Sequence, residues 1–260
     1  MKKIYLIANW KMQLNKSDSV RLAVEVCKSA SATNSFCATA DKNLEVVLCP
    51  SYVHLSNVAR KIKNSGIKLG AQNAFYHDKG SYTGEVSPSQ LKELEVDYVI
   101  IGHSERREYL NETDEDVNRK VKITLENNLV PIICVGETMQ EKQDEKADIV
   151  IIKQINKALQ DIELKDNQKL IIAYEPVWVI GTGKAVDPKE AEHAIEVIKY
   201  NLMEHFSEEI IDKHISIVYG GSVNADNIND FLKIDLIEGA LVGGASLSAD
   251  KFIPIIKNIK

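Results

Sequence analysis

Short, almost continuously apolar runs recur along the chain, and each is followed by a segment in which apolar and polar residues mix. Strands with one exposed face alternate apolar and polar side chains. These runs do not alternate, so they predict strands covered on both faces, as in a parallel sheet. The eight runs are IYLIA (4–8), EVVLC (45–49), IKLGA (67–71), YVIIG (98–102), VPIICV (130–135), LIIAYE (170–175), ISIVYG (215–220) and EGALVG (238–243).

The segments between the runs carry a helical period. Apolar residues recur every four positions in 113–128, where acidic residues in the first turn favour a helix start. The stretch 187–206 opens with Asp-Pro, a pair typical of an N-cap and a first helical residue. The stretch 139–163 is predicted to have an apolar face made of Ile149, Ile152, Ile155 and Leu159.

Eight strand–helix units in 260 residues predict an α/β fold in which one domain, residues 1–260, closes as a (β/α)8 barrel. The alternative is an open, doubly wound sheet. Such sheets usually carry a glycine-rich turn after the first strand, whereas this strand runs into NWKM (9–12). Residues 29–43 are rich in Ser, Ala and Thr and are interpreted as an extended surface connection.

Composition narrows the classes of function. Hydrophobic residues make up 44% of the chain and charged residues 27%, and the net charge of −6 argues against a nucleic-acid-binding surface. The N-terminal apolar run is too short for a signal peptide, and no stretch approaches the roughly 20 residues of a membrane span. The four cysteines lack metal-binding spacing, which predicts unpaired thiols in a cytoplasmic protein.

Polar residues that could do chemistry follow several of the runs. The active site of a (β/α)8 barrel lies at the carboxyl ends of its strands. Asn9 and Lys11 follow the first run, His103 follows the fourth, and Glu175 ends the sixth. A lone residue of any of these types is more often structural or solvent-exposed. The structural interpretation is kept for the other five histidines, which are His54, His77, His193, His205 and His214.

Glu175 differs from an ordinary strand-end carboxylate because an apolar segment follows it. If Trp178 and Ile180 cover the carboxylate, loss of water raises its basicity towards that of a general base. His103 precedes a predicted helix with Ser104 as its N-cap. An imidazole at this place is disfavoured as a cation and should act as a neutral hydrogen-bond donor. Lys11 can offset negative charge on a substrate.

Two glycine turns follow the seventh and eighth runs, in YGGSVN (219–224) and VGGASL (242–247). Free backbone N–H groups near a helix start bind anions, and barrels often bind phosphate at these two loops. The stretch GTGK (181–184) is not a nucleotide-binding P-loop, because the required earlier glycine is replaced by Trp178 and Ala185 follows the lysine. Together the residues predict metal-free proton abstraction beside a carbonyl in a small phosphorylated substrate.

The chain resembles the triosephosphate isomerase family over essentially its whole length. The matching stretches are ANWKM (8–12), GAQN (70–73), YTGEVSP (82–88), IGHSERRE (101–108), ICVGET (133–138), AYEPVWVIGTGK (173–184), YGGSV (219–223) and LVGGASL (241–247). The resemblance implies a TIM barrel that interconverts D-glyceraldehyde 3-phosphate and dihydroxyacetone phosphate without a cofactor. It assigns proton transfer to Glu175 and carbonyl polarisation to His103, with Lys11 and Asn9 contacting substrate.

The resemblance also implies how the phosphate is held and covered. Backbone N–H groups of Gly181, Ser222, Gly243 and Gly244 are expected to bind it. A lid after the sixth strand is expected to exclude water when it closes. Its residues are Pro176, Val177, Trp178, Val179, Ile180, Gly181, Thr182, Gly183 and Lys184.

A homodimer is the family's usual assembly, and the stretch YHDKGSYTGE (76–85) resembles its interlocking loop. Thr83 is then expected to reach the partner's site near Asn9 and His103. Three features depart from the family pattern: Gln13 replaces Asn, Val179 and Ala185 replace Ala and Thr in and after the lid, and the connection 29–43 is longer. Two other functions remain open, namely another phosphate-binding barrel enzyme and a barrel that binds without catalysis.

Overall fold

The computed structural model describes residues 2–32, 43–183 and 185–259 of the chain. Eight parallel strands form a closed barrel in sequence order, and β1 pairs with both β2 and β8. The strands are β1 Ile4–Asn9, β2 Leu44–Cys49, β3 Lys68–Ala71, β4 Tyr98–Ile101, β5 Val130–Val135, β6 Leu170–Tyr174, β7 Ile215–Tyr219 and β8 Gly239–Val242. The barrel prediction is confirmed, and the open-sheet alternative is wrong.

Helices lie between successive strands and cover the outside of the barrel. They are α1 Lys16–Ala32, α2 Leu55–Ile62, α3 Pro88–Glu93, α4 Ser104–Leu110, α5 Asp114–Glu126, α6 Met139–Gln143, α7 Ala147–Ala158, α8 Pro188–Leu202, α9 Glu208–His214, α10 Ile228–Leu232 and α11 Ala249–Asn258. Short 3₁₀ helices form at Tyr52–His54, Val177–Val179 and Gly244–Leu247.

The strands are mostly apolar because seven of them contribute buried side chains both to the inside of the barrel and to the layer under the helices. In β1, Tyr5 and Ile7 point into the barrel, where they pack among buried side chains of the other strands. Leu6 and Ala8 point outward and pack against the helices. Since successive side chains of a strand face opposite sides, both sets must be apolar, which explains the continuous runs of the sequence.

Local capping fixes where the helices begin, and so fixes the loops of the barrel mouth. Thr113 caps α5 and Thr138 caps α6 in reciprocal capping boxes with the residues three positions on. Asp187 caps α8, with Pro188 as the first helical residue, as the sequence predicts.

The stretch 139–163 differs from the prediction. It forms two helices, α6 and α7, and Ile149 is 67% exposed. The buried face of α7 instead comprises Ile151, Ile155 and Ala158. Ile155 and Leu159 are buried as predicted, whereas Ile149 and Ile152 are exposed. Residues 149–152 are all apolar, so the helical period alone does not show which of them faces the barrel. The extended connection predicted for 29–43, together with Cys37, lies mostly outside the described residues.

Candidate active site

A cavity of about 760 Å³ opens at the carboxyl ends of the strands. The eight residues predicted to catalyse or to bind phosphate all line it, namely Asn9, Lys11, His103, Glu175, Gly181, Ser222, Gly243 and Gly244. Thr83 is exposed and does not line this cavity of its own chain. Loops after five different strands therefore bring the predicted residues together.

Lys11 is held at the mouth in an unusual backbone conformation. Its φ is 51°, in the left-handed region that residues with a Cβ rarely adopt. The Lys11 N–H donates to Asn9 Oδ1 at 3.0 Å. Ser51 Oγ and Gln72 Nε2 both donate to the Lys11 carbonyl, each at 2.9 Å. These three bonds offset the cost of the conformation and direct the Lys11 side chain into the cavity.

Glu105 is a residue of the site that the sequence interpretation misses. Its Oε1 lies 2.5 Å from Lys11 Nζ, so the ammonium already has one anionic partner. Glu105 lies two residues after His103 on α4, and only the fold brings it beside the loop after β1. A Cβ on Gly243 would lie 3.3 Å from Lys11 Cε, so this glycine leaves room for the lysine.

His103 is the N-cap of α4, and the prediction that Ser104 is the cap is wrong. The backbone N–H of Glu105 donates to His103 Nδ1 at 3.2 Å. A nitrogen that accepts a hydrogen bond carries no proton, so this bond favours the tautomer with its proton on Nε2. That Nε2 lies 3.1 Å from Glu175 Oε1. The cap therefore selects the tautomer that presents a donor to the cavity.

Glu175 is 2% exposed and directly follows β6. The backbone N–H of Ser104 donates to its Oε2 at 3.1 Å, and its own N–H donates to the Val135 carbonyl at 2.7 Å. Within the described part of the chain, no Lys or Arg forms an ion pair with this carboxylate. A buried carboxylate held by neutral donors alone is suited to accept a proton.

Glycines give Glu175 its space. A Cβ on Gly220 would lie 2.8 Å from Glu175 Cγ, and one on Gly136 would lie 1.8 Å from the Glu175 carbonyl oxygen. The second distance is a clash with rigid backbone. The glycines after β5 and β7 therefore define the place of the carboxylate between them.

A buried ionic network supports the loop that carries His103. Glu112 accepts from the Gly102 N–H at 3.0 Å, from Arg106 Nε at 2.6 Å and from Lys120 Nζ at 2.5 Å. Burial by itself would raise the pKa of Glu112, but the two cations outweigh it and hold that pKa below its usual range. The network fixes the turn before His103, and nothing local in the sequence indicates it.

The lid has a buried root and an exposed tip. Pro176 and Val179 are buried, whereas Gly181–Gly183 are exposed. Ile180, Gly181 and Gly183 line the cavity, but Trp178 does not. The Trp178 indole N–H instead donates to Glu137 Oε1 at 2.7 Å. Cover of Glu175 by Trp178 therefore stays a prediction for the closed lid. Lys184 lies outside the described residues.

The glycine turns after β7 and β8 both line the cavity. Gly243 precedes, and Gly244 begins, a short 3₁₀ helix that ends at Leu247. Ser222 follows the turn after β7, and both turns line the cavity. Loops after strands seven and eight with a short extra helix form the phosphate site of many barrel enzymes. Exposed backbone at this place is thus arranged to receive an anion.

Among the described residues, two kinds of feature are absent. No helix there is both long and apolar enough to cross a membrane. Over the same ranges, no group of three or more His, Cys, Asp or Glu side chains is arranged to hold a metal ion.

The fold and the mouth define a (β/α)8-barrel protein with acid–base residues and glycine turns around one cavity. The family model of triosephosphate isomerase matches residues 4–259. A triosephosphate isomerase of Caldanaerobacter subterraneus subsp. tengcongensis is 44% identical over 256 residues, covering 98% of this chain and 99% of the relative. One from Fusobacterium nucleatum subsp. nucleatum is 42% identical over 258 residues, covering 99% of both chains. The chain belongs to the triosephosphate isomerase family.

Proposed function

We propose that this chain interconverts D-glyceraldehyde 3-phosphate and dihydroxyacetone phosphate by proton transfer through an enediolate. The observation that carries the proposal is the 3.1 Å contact between Glu175 Oε1 and His103 Nε2 at the wall of the cavity, with His103 Nδ1 accepting from a backbone N–H. The relatives of this chain carry the name triosephosphate isomerase, which is the reaction proposed.

Glu175 takes the proton from the carbon beside the substrate carbonyl. As the carbonyl oxygen gains negative charge, the His103 Nε2–H donates a hydrogen bond to it, and the Lys11 ammonium stabilises the same charge. Glu175 then returns the proton to the neighbouring carbon while His103 moves a proton between the two oxygens. Asn9 contacts substrate and, through its Oδ1, holds the Lys11 backbone. The route uses no cofactor and no metal.

The phosphate is held by backbone N–H groups of Gly181, Ser222, Gly243 and Gly244. The lid 176–184 closes over it and excludes water, which protects the enediolate from losing phosphate. This proposal is supported by the exposed, glycine-containing tip, which has room to move, and by its buried root, which can act as a hinge.

The active form is a cytoplasmic homodimer in which Thr83 reaches the partner's site. Support comes from an exposed surface that contains Met12 (94% exposed), Val53 and Tyr82. The loop that carries Thr83 is preorganised, because His77 stacks on Tyr82 and Phe75 contacts both rings at a tilt. A size measurement that finds a fully active monomer would reject this part of the proposal.

The test is the conversion of D-glyceraldehyde 3-phosphate to dihydroxyacetone phosphate by purified protein in H₂O and in D₂O. Proton transfer through Glu175 should place solvent deuterium on carbon, whereas a direct hydride shift would not. Glu175→Gln should lower kcat by about 10²- to 10⁴-fold. The matched control is Glu238→Gln at the other end of the barrel, where burial already raises the pKa of the carboxyl.

Each outcome separates one alternative. Wild-type activity that the control keeps and Glu175→Gln loses supports the reaction and the base together. A folded dimer that leaves triose phosphates unchanged but turns over another sugar phosphate would indicate a different barrel enzyme. No turnover of any phosphate, with binding retained, would favour a barrel that binds without catalysis. Equal activity in both variants would reject Glu175 as the base.

A further inference from the structure

The side chain of Trp178 is docked on the outside of the cavity by contacts that proton transfer does not use. Its indole N–H donates to Glu137 Oε1 at 2.7 Å, and the Tyr174 hydroxyl donates to the same oxygen at 3.3 Å. Trp178 belongs to the lid, whereas Glu137 follows β5 and belongs to the rigid wall. The contact therefore joins the moving segment to the fixed one.

Lys142 covers the face of the docked indole. Its Nζ lies 3.6 Å from the centroid of the Trp178 ring, well inside the distance at which a cation attracts an aromatic face. The same Nζ donates to Glu190 Oε2 at 2.8 Å. The ammonium is thus fixed between an indole and a carboxylate, and it has little freedom to leave the ring.

The two anchors of Lys142 come from elements that do not belong to the lid. Lys142 lies on α6, whose start is fixed by the capping box of Thr138 and Glu141. Glu190 lies in the first turn of α8. α6 contacts α7, and α8 buries Ala191 and Ile195 and packs against α7, so the ammonium is presented to Trp178 by elements outside the lid. Displacement of Trp178 from Glu137 would break the contact with Lys142 at the same time.

We propose that Lys142 is a positioning residue that holds Trp178 at Glu137 and thereby sets how often the lid leaves the docked position. The inference rests on the proposed function, because it assigns the lid to the isomerase reaction. A cation–π contact of this kind changes an equilibrium roughly two- to thirty-fold. Loss of the contact weakens the docked state and favours closure over the cavity. Ligands are then held more tightly, and product leaves more slowly.

The test uses the whole chain labelled with 5-fluorotryptophan. Its fluorine NMR spectrum should contain two resonances, because the chain has two tryptophans. Trp178→Phe assigns the resonance of Trp178. The variants are Lys142→Met, which removes the cation, Lys142→Arg, which keeps it, and Glu190→Gln, which releases its anchor. Lys146→Met is the matched control. Lys146 lies four residues after Lys142 and pairs with Asp144. Glycerol 3-phosphate, which cannot react, serves as the ligand.

We expect Lys142→Met to shift the Trp178 resonance in the unliganded protein and to lower both KM and the glycerol 3-phosphate dissociation constant at least threefold. The kcat should fall as well, and its dependence on solvent viscosity should rise, because release becomes slower. Glu190→Gln should have a smaller effect in the same direction. Lys142→Arg and Lys146→Met should both keep the wild-type resonance, KM, kcat and dissociation constant.

An unchanged resonance together with unchanged KM and dissociation constant in Lys142→Met overturns the inference. The same holds if Lys146→Met reproduces every effect, since the change would then be general. A wild-type protein without isomerase activity rejects the proposed function instead. In that case the resonance of the unliganded variants still decides whether Lys142 holds Trp178.

Discussion

Two carboxylates, a partly buried one and a buried one, lie at opposite ends of the same barrel and have different surroundings. At the amino end, Glu45 of β2 lies 2.6 Å from Lys3 Nζ and accepts a short hydrogen bond from the Tyr98 hydroxyl. At the carboxyl end, Glu175 is held by the imidazole of His103 and by one backbone N–H, and it faces a cavity. Both groups bring negative charge into the barrel, but only one of them has a cationic partner.

The difference shows how one scaffold separates stability from chemistry. Burial and the Glu45 charge raise the pKa of Tyr98 far above its usual range, so its hydroxyl remains a donor and the floor of the barrel stays closed. Glu175 keeps room for a further partner because its donors are neutral and glycines surround it. Substitutions at the floor should therefore change stability, and substitutions at the mouth should change activity.

The largest effect is expected from Gly239→Ala at the floor. The new Cβ would lie 1.9 Å from the Tyr5 carbonyl oxygen, and the φ of this residue is 148°, which a side chain tolerates poorly. Because the obstacle is backbone of the neighbouring strand, the loss of unfolding free energy should exceed about 4 kcal/mol. Denaturant unfolding measures it. A stable variant would show that the β1–β8 pair is less rigid than its register indicates.

Gly220→Ala places the corresponding change at the mouth. Its Cβ would lie 2.8 Å from Glu175 Cγ and 3.0 Å from the Tyr174 carbonyl oxygen, so the glutamate side chain must move. A displacement of about 1 Å at a reacting group can cost about 10²-fold, and we expect kcat to fall by that amount. Unfolding free energy should change by only about 1–3 kcal/mol. If stability falls sharply while kcat stays the same, the separation of the two ends is wrong.

Glu45→Gln should have a smaller effect, and on stability alone. The amide still accepts from Tyr98 but loses the charge that attracts Lys3. Hydrogen bonds to charged groups contribute about 1.5–3 kcal/mol, and Lys3 is partly exposed, so we expect a loss of about 1–2 kcal/mol. Chemical denaturation gives the loss, and the kinetic assay should show an unchanged kcat. A double-mutant cycle with Lys3→Met isolates the pair.

The smallest effect is expected from Glu137→Gln at the mouth, where the substitution should change the pH dependence of stability. Burial raises the pKa of Glu137 above its ordinary value of about 4.5, although Trp178, Tyr174 and Lys142 oppose the shift. With a raised pKa, the folded protein keeps a proton that the unfolded chain releases, so stability falls as the pH rises above about 4.5. The amide in the Glu137→Gln variant can still accept the indole bond but does not titrate. The stability of the variant relative to wild type should therefore increase with pH over this range, and equal slopes would contradict the assignment.

The sequence predicts much of the fold, because its strongest signals are local. The barrel strands lie within a residue of the apolar runs at each end, since burial on both faces requires uninterrupted apolar residues. Asp187 and Pro188 mark the start of α8 correctly for a similar reason. The apolar face predicted for 139–163 is right at Ile155 and Leu159 and wrong at Ile149 and Ile152, because residues 149–152 are all apolar and the helical period does not show which of them is buried.

The sequence predicts the lining residues of the candidate site but not their supports. Strand order alone places Lys11, His103 and Glu175 at one mouth. Two of their partners lie far away in sequence: Glu105 is 94 residues from Lys11, and Ser104 is 71 residues from Glu175. No spacing rule connects such pairs. Whether Ser104 or His103 caps α4 also depends on which polar atom reaches the backbone N–H, and three-dimensional geometry decides that.

The left-handed backbone of Lys11 has a consequence for engineering this protein. A residue with a side chain loses roughly 1–2 kcal/mol of stability in that region, whereas glycine adopts it without this cost. Lys11→Gly should therefore release strain while removing the ammonium from the cavity. Directed evolution for heat resistance alone would reward this loss, whereas a screen that also demands turnover would reject it. Thermostable libraries built on this chain should keep position 11 fixed.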